Sequence, residues 1–271
     1  GLLGRGIGQS LSPALHRALG RWAGIPVEYE LFDVSPGKLK DTLVVLRTHE
    51  LTGFNVTAPF KSELLAHLSA QTPTVERAGA VNTICIRPDG TWLGANTDVF
   101  GIRECLRTYG SLGRIVILGA GGAARAAACA LSDCRSSELW VVNRSAHRAQ
   151  QLVDDIWGGQ GMPCPWDELS RWLIEADLVI NTLPPTAYQS LAVHLPAAVS
   201  ASTRWLDLSY GADLQSWIEH LRSRGFAAED GLRVLIYQGI TSFALWTTHK
   251  VPFSVGENAL KDVIHSHSID S

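Results

Sequence analysis

The stretch GAGGAA at 119–124 sets glycines at 119 and 121 and an alanine at 124 directly behind the apolar run RIVIL and directly ahead of a run of small residues. In this G-x-G-x-x-A spacing the first glycine permits a tight turn and the second lets the backbone approach a pyrophosphate, which the helix N-terminus then attracts. A dinucleotide site is expected. About twenty residues on, where an NAD enzyme commonly carries an acid for the ribose 2′-OH, the run ELWVVN instead ends in Asn143-Arg144-Ser145, with Arg148 one turn later. Two guanidiniums suit a 2′-phosphate better than a hydroxyl, so the cofactor expected is NADP. Lys61, in NVTAPFKSEL (55–64), raises a different question. Pro59 reads as a helix start, which puts Lys61 in a first turn, among unpaired N–H groups and the positive end of the dipole. An acid would be the stabilising choice there, so the lysine calls for a chemical reason.

The elements that must carry these residues alternate between extended and helical. GLLGRGI reads as the end of a short strand, and SLSPALHRALGRWAG as a helix with Ser12 as N-cap and Pro13 at its first position. VEYELFDV is strand-like and KLKDTLVVLRTH helical. LTGFNVTA is a strand feeding the Pro59 helix, and AVNTICIRPDGTWLGANTD two strands about an Asp-Gly turn. From RIVIL onward the order is strand, glycine turn, helix, then ELWVVN, a helix through Arg148 to Trp157, and the strand ADLVINTL, a nucleotide-binding βαβ series. RWLDLSY, DLQSWIEHLRSRG, YQGITSFALWTTHK and VGENALKDVIHSH supply one more strand and three helices. The fold class expected is α/β in two domains, with the boundary near Asp98, where the helix VFGIRECLRTYG would carry the chain from the first into the second.

With 271 residues, 46% of them hydrophobic, the chain can bury two cores. A formal net charge of -3 with interspersed signs excludes a basic stripe for nucleic acid and a cationic face for a membrane. Apolar runs are broken by Gly and Arg short of a membrane span, no signal peptide is visible, and the cytoplasm is the expected location. Cys85, Cys105, Cys129, Cys134 and Cys164 lack paired CxxC spacing, so they read as reduced, most of them core, and no metal is expected. The chain opens on Gly rather than Met, which fits a leading segment cut away. Nothing in it sets an oligomeric state.

SLSP (10–13), NVTAPFK (55–61), GAVNT (79–83), GANTD (94–98), GAGGAA (119–124), NRS (143–145) and DGLRVLIYQG (230–239) together resemble the shikimate dehydrogenases, in order and spacing over nearly the whole chain. The resemblance implies reversible reduction of 3-dehydroshikimate to shikimate with NADPH, in aromatic amino acid biosynthesis. It implies a substrate domain of 1–97 with 234–271, built from the N-terminal half plus the last helices that return to it, and a Rossmann-type NADP domain of 98–233 inserted between. Carried over residue by residue, it makes Lys61 and Asp98 the catalytic pair, with Thr97 beside them. Ser10 and Ser12 would bind the substrate carboxylate, with Tyr210 nearby, and Thr57, Asn82 and Gln238 the ring hydroxyls. Gly119, Ala120, Gly121, Gly122, Ala123, Asn143, Arg144, Ser145 and Arg148 would bind the cofactor. Each of several residues also has a plainer use: Ser12 as an N-cap, Asn82 in a turn, Gln238 on a helix surface, and Asp98 as N-cap of VFGIRECLRTYG, whose apolar residues at 99, 102, 105 and 106 suit an amphipathic helix.

The sequence also departs from the family. Thr182-Leu183-Pro184-Pro185 stand where Ala-Thr-Pro or Ala-Thr-Ser is usual, Gly211-Ala212-Asp213 replace a Pro and a Thr, Val234 replaces a Met, and Gln9 a His. A paralogue oxidising quinate or an aminoshikimate is the nearest alternative. A dinucleotide-sensing regulator without turnover is another, and the presence of both Lys61 and Asp98 argues against it.

Overall fold

Two runs of strands build two separate sheets. The computed structural model describes residues 1–132, 138–197, 199–200, 202–211 and 214–267, and the chain divides into one unit of 1–101 with 235–271 and a second of 102–234. In the first unit the strands are β1 (Leu2–Gly4), β2 (Leu31–Asp33), β3 (Gly53–Val56), β4 (Ala70–Gln71), β5 (Thr83–Ile86) and β6 (Trp92–Ala95), with helices α1 (Ser12–Ala23), α2 (Leu39–Thr48), α3 (Pro73–Ala78) and α4 (Thr97–Leu106). In the second they are β7 (Arg114–Leu118), β8 (Glu138–Val142), β9 (Met162–Cys164), β10 (Leu178–Asn181), β11 (Arg204–Asp207) and β12 (Ala227–Glu229), with α5 (Gly122–Leu131), α6 (Ala146–Trp157), α7 (Leu169–Glu175), α8 (Tyr188–Ala192) and α9 (Gln215–Ser223). The helices α10 (Leu232–Thr247) and α11 (Phe253–His267) complete the chain. It leaves the first unit within α4 and returns to it within α10.

The first sheet runs β2-β1-β3-β5-β6-β4, parallel at β2/β1, β1/β3 and β6/β4 and antiparallel at β3/β5 and β5/β6. Because β5 runs against β3 and β6, its first residues lie level with their last ones: Thr83 stands opposite Asn55 on one side and Ala95 on the other. The end of β3, the start of β5 and the end of β6 therefore share one edge. Leu3, Phe54, Val56, Phe60, Leu64, Ile84 and Trp92 form the core behind it. Phe54 and Trp92 meet edge-on at 5.2 Å, an aromatic geometry worth about 0.5–1.5 kcal/mol beyond area burial.

The second sheet is parallel throughout, in the order β12-β11-β10-β7-β8-β9. The order reverses between β7 and β10, the switch point at which such sheets bind ligands. RIVIL, ELWVV and LVIN are buried almost without a break, as strands covered on both faces must be. On α5, alanines at 124, 126, 127, 128 and 130 are buried. The fold class is thus the α/β arrangement expected, with a Rossmann-type second sheet.

Local readings differ at four places. Pro59 starts no α-helix: residues 58–62 form a turn behind a cis Ala58-Pro59 bond, closed by Phe60 N–H to the Thr57 carbonyl at 3.1 Å, and only a 3₁₀ helix, Glu63–His67, follows. Phe60 and Leu64, both buried, anchor that turn in the core. Ser12 is not the cap of α1. Leu11 is, and Ser12 lies inside the helix, where Ser10 Oγ accepts its backbone N–H at 3.3 Å. Asp98 is not the cap of α4 either, since Asn96 Oδ1 accepts the Val99 N–H. Of VEYELFDV only Leu31–Asp33 pairs.

Among the described residues no helix is long and apolar enough to cross a membrane, and no group of His, Cys, Asp or Glu is arranged to hold a metal. Cys85, Cys105 and Cys164 are free thiols, Cys129 is buried, and burial pushes Cys105 and Cys164 up to about 12. Cys134 lies outside the described residues.

Candidate active site

At the shared edge of the first sheet, Lys61 arrives on the turn after β3 and Asp98 on the first turn of α4 just after β6. Lys61 Nζ lies 2.6 Å from Asp98 Oδ2, and their side chains keep 15% and 16% of their surface exposed. A pair this sheltered is held more tightly than a solvated surface pair, while still open to a ligand. The helix-dipole argument for Lys61 falls away with the helix. What remains is a cation brought against one carboxylate by a turn.

Asn82, at the head of β5, organises the rest. Its Oδ1 accepts the Thr97 backbone N–H at 2.7 Å, which leaves Nδ2 to reach Asp98 Oδ1 at 2.7 Å and Thr97 Oγ1 at 3.0 Å. The backbone donor settles which way the amide points. Gln238 on α10 is buried rather than on the helix surface. Its Oε1 stands 3.4 Å from Thr97 Oγ1, and its Nε2 donates to the Leu235 carbonyl. Lys61, Asn82, Thr97, Asp98 and Gln238 are thereby joined in one network inside the first unit. Thr57, half-buried at the end of β3, and Ser10 and Ser12, at the head of α1, make no hydrogen bond to that network. Tyr210 is half-buried beyond β11, in the second unit. Ala212 and Asp213 lie outside the described residues.

Beneath the network lie residues not singled out from the sequence. Asn55 Nδ2 donates to Thr83 Oγ1 at 3.0 Å and to the Asn82 carbonyl at 3.2 Å, and Tyr29 OH donates to Asn55 Oδ1 at 2.8 Å. His16 stacks on Tyr29, rings 4.6 Å apart, and burial pushes its imidazole down to about 3. Asn55 lies against that ring, but neither ring nitrogen has a hydrogen bond of ordinary geometry. Asn55 and Thr83 sit within NVTAPFK and GAVNT, so motif membership was the signal available for them. Nothing in the sequence marks Tyr29.

In the second unit the glycine turn sits at the switch point. Gly119 has φ +108°, and a Cβ there would run into Thr182 Oγ1, whose hydroxyl donates to the Leu118 carbonyl at 2.7 Å. Gly121 is the N-cap of α5, and a Cβ there would stand in open space, so the turn presents bare backbone beside Ala120, Gly122 and Ala123. Across β8, Asn143 Nδ2 donates to the Ser145 carbonyl and Ser145 Oγ accepts the Arg148 N–H as the cap of α6. Arg144 and Arg148 are exposed, and among the described residues neither forms an ion pair with a carboxylate. Two cations without counter-charges among the described residues, at a helix start, fit a phosphate.

The Thr182–Pro185 departure also has a structural account. Asp207, buried at the end of β11, accepts from Asn181 Nδ2 (2.7 Å), Tyr188 OH (2.9 Å), the Ser209 N–H (3.0 Å) and Trp217 Nε1 (3.3 Å), while Asn181 Oδ1 accepts the Leu183 N–H. Burial, against these donors, pushes the Asp207 carboxyl up. The substituted loop is therefore braced at both ends.

A family model described as "Shikimate dehydrogenase substrate binding domain" matches residues 2–84, and one described as "Shikimate / quinate 5-dehydrogenase" matches residues 107–229. The shikimate dehydrogenase (NADP(+)) of Moorella thermoacetica is 36% identical, the alignment covering 98% of this chain and 94% of the relative. Among solved structures, the Thermus thermophilus shikimate 5-dehydrogenase in complex with NADP(H) and shikimate is 31% identical with a TM-score of 0.80, covering 96% of this chain and 97% of that one. Quinate dehydrogenase from Corynebacterium glutamicum in complex with NAD is 26% identical with a TM-score of 0.81, covering 96% and 97%. With likeness of this extent at both sheets, and with the polar cluster and the glycine turn on matching motifs, the chain belongs to the shikimate dehydrogenase family.

Proposed function

We propose that this protein is an NADP-dependent shikimate dehydrogenase, interconverting 3-dehydroshikimate and shikimate. The observation that carries this reading is the Lys61–Asp98 pair at 2.6 Å, fixed from behind by Asn82, in a chain of this family. The residues present fit a dinucleotide phosphate ester: bare backbone at 119–123, and Arg144 and Arg148, without carboxylate partners among the described residues, beside Asn143 and the capping Ser145. When bound, the nicotinamide exchanges hydride with the substrate's reacting ring carbon.

The oxygen on that carbon must gain or lose a proton as the hydride moves, and Lys61 Nζ is the group assigned to carry it. Asp98 holds the ammonium through Oδ2 and accepts a hydrogen bond from a neighbouring ring hydroxyl. Asn82, Thr97, Thr57 and Gln238 bind the hydroxyls, and Ser10 and Ser12 bind the carboxylate. Ser12 is available for this because Leu11, not Ser12, caps α1. On this reading the first unit is the substrate domain, the second the NADP domain, and the enzyme works in the cytoplasm in aromatic amino acid biosynthesis, where free thiols such as Cys85 persist.

Steady-state assays with shikimate and quinate, each with NADP⁺ and NAD⁺, test the reading. Turnover is expected with shikimate and NADP⁺, at a kcat/KM well above that for quinate or NAD⁺. Preference for quinate with NAD⁺ would replace it with the quinate alternative, and absence of turnover with a binding role.

A further inference from the structure

We infer that Asn55 and Thr83, held from below by Tyr29, are positioning residues that saturate the Asn82 amide oxygen, whose direction the Thr97 N–H sets, and through it hold the orientation of Asp98. The inference rests on the assignment of Lys61 and Asp98 as the catalytic pair.

Two backbone groups anchor the argument because their hydrogen-bonding roles cannot reverse. The Asn82 carbonyl can only accept, so the Asn55 amide must turn Nδ2 toward it (3.2 Å), which leaves Asn55 Oδ1 facing the Tyr29 hydroxyl at 2.8 Å. The same Nδ2 donates into Thr83 Oγ1 at 3.0 Å, so the Thr83 proton must go onward. It has two acceptors, Asn82 Oδ1 at 3.0 Å and Thr97 Oγ1 at 3.1 Å. The second anchor is the Thr97 N–H, which can only donate and takes one lone pair of Asn82 Oδ1 at 2.7 Å.

With the Thr83 hydroxyl on the other lone pair, Asn82 Oδ1 is saturated, and the Thr97 hydroxyl, 3.2 Å away, is turned instead toward Gln238 Oε1. Asn82 Nδ2 then donates to Asp98 Oδ1 while Lys61 holds Oδ2. Every donor in the series Tyr29, Asn55, Thr83, Asn82 points toward Asp98. Aligned hydrogen bonds polarise one another in a low-dielectric interior, and all four of these residues are buried. Tyr29 is itself fixed by the stacked, neutral His16 ring.

Removing the Thr83 hydroxyl opens a lone pair on Asn82 Oδ1, which draws the Thr97 hydroxyl off Gln238 and loosens the donor to Asp98. Thr83→Val, nearly isosteric with threonine but without its hydroxyl, and Thr83→Ser, which keeps the hydroxyl and loses the methyl, test this, with Tyr29→Phe as the distal variant. Thr83→Val and Tyr29→Phe are expected to lower kcat/KM for shikimate by about three- to tenfold, the size of one neutral hydrogen bond, with KM for NADP⁺ unchanged. Thr83→Ser is expected to keep wild-type rates. The Asn82 side-chain amide NMR signals, identified by their loss in Asn82→Asp, should shift in Thr83→Val and Tyr29→Phe and stay in place in Thr83→Ser.

Unchanged rates and amide signals in Thr83→Val overturn the inference. So does an equal loss in Thr83→Ser, which would mark a packing effect. Should Tyr29→Phe fail to fold, the Thr83 pair decides alone. Lack of shikimate turnover in the wild type would sink the proposed function, and the amide signals would still judge the network.

Discussion

Lys61 shows what a single side chain does here and what its surroundings must supply. A general acid-base group contributes about 10²- to 10⁴-fold in rate, so Lys61→Ala should lower kcat by that order with KM for shikimate much less affected. Near-normal kcat in that variant would remove Lys61 from the chemistry. Read as a first-turn lysine, its loss would cost little stability and could add a few tenths of a kcal/mol. On a turn against a sheltered Asp98, its removal leaves a carboxylate with Asn82 as its remaining partner, so a lower melting temperature is expected instead. Asp98→Ala should also lower kcat, and the double variant should lose far less than the product of the single losses, because the two act as a unit. Strict multiplication of the losses, measured in the same assay, would show that they act independently.

At the scale of elements, helix starts and strand ends decide what each residue is free to do. Since α1 is capped at Leu11, Ser12→Ala should raise KM for shikimate severalfold while the melting temperature hardly moves. A melting change alone, followed by calorimetry, would remove Ser12 from the carboxylate site. At the head of α6, Arg144→Asp should raise KM for NADP⁺ by about ten- to a hundredfold, as expected for losing a charge-assisted bond of about 1.5–3 kcal/mol, and KM for NAD⁺ far less. Equal losses for both cofactors would contradict the 2′-phosphate role. At the end of β11, burial raises the Asp207 carboxyl above its ordinary value of 3.8. The folded state then holds its proton over a pH range in which the unfolded chain has lost it. The stability this adds is complete below 3.8 and is lost as pH rises through the folded value. Melting curves of wild type and Asp207→Asn across that range should show the wild type's lead shrinking as pH rises, then levelling.

At the scale of the molecule, the residues proposed for the cofactor lie in the second unit and most of those proposed for the substrate in the first, so each ligand should mark mainly its own unit. Hydrogen exchange with NADP⁺ should slow amides at 119–124 and 143–148, and exchange with shikimate those at 57–61 and 82–98. A ligand at about a hundred times its Kd adds about 2.7 kcal/mol of stability, enough to read in both exchange and melting. NADP⁺ protection confined to 57–61 and 82–98 would contradict the assignment of the cofactor to the second unit.

Much of this was legible in the residues, and the reason is local. The glycine turn and the largely apolar RIVIL and ADLVIN strands each express a short-range requirement: φ beyond the reach of a side chain at Gly119, and burial on both faces of a parallel sheet. The motif series indicated the α/β class and the family in the same way. What the chain could not express locally was decided by packing. Pro59 carries the same signal before a helix and in a turn, and the burial of Phe60 and Leu64 chose the turn. Ser12 and Asp98 are both good caps by type, but Leu11 and Asn96 took those places, leaving Ser12 Oγ outside any cap and the Asp98 carboxylate to Lys61 and Asn82. The Tyr29–Asn55–Thr83 support joins residues 26 and 28 positions apart, and only the pairing of β3 with β5 brings Asn55 and Thr83 opposite each other. A hydrogen bond between strands depends on register, and register belongs to the folded sheet.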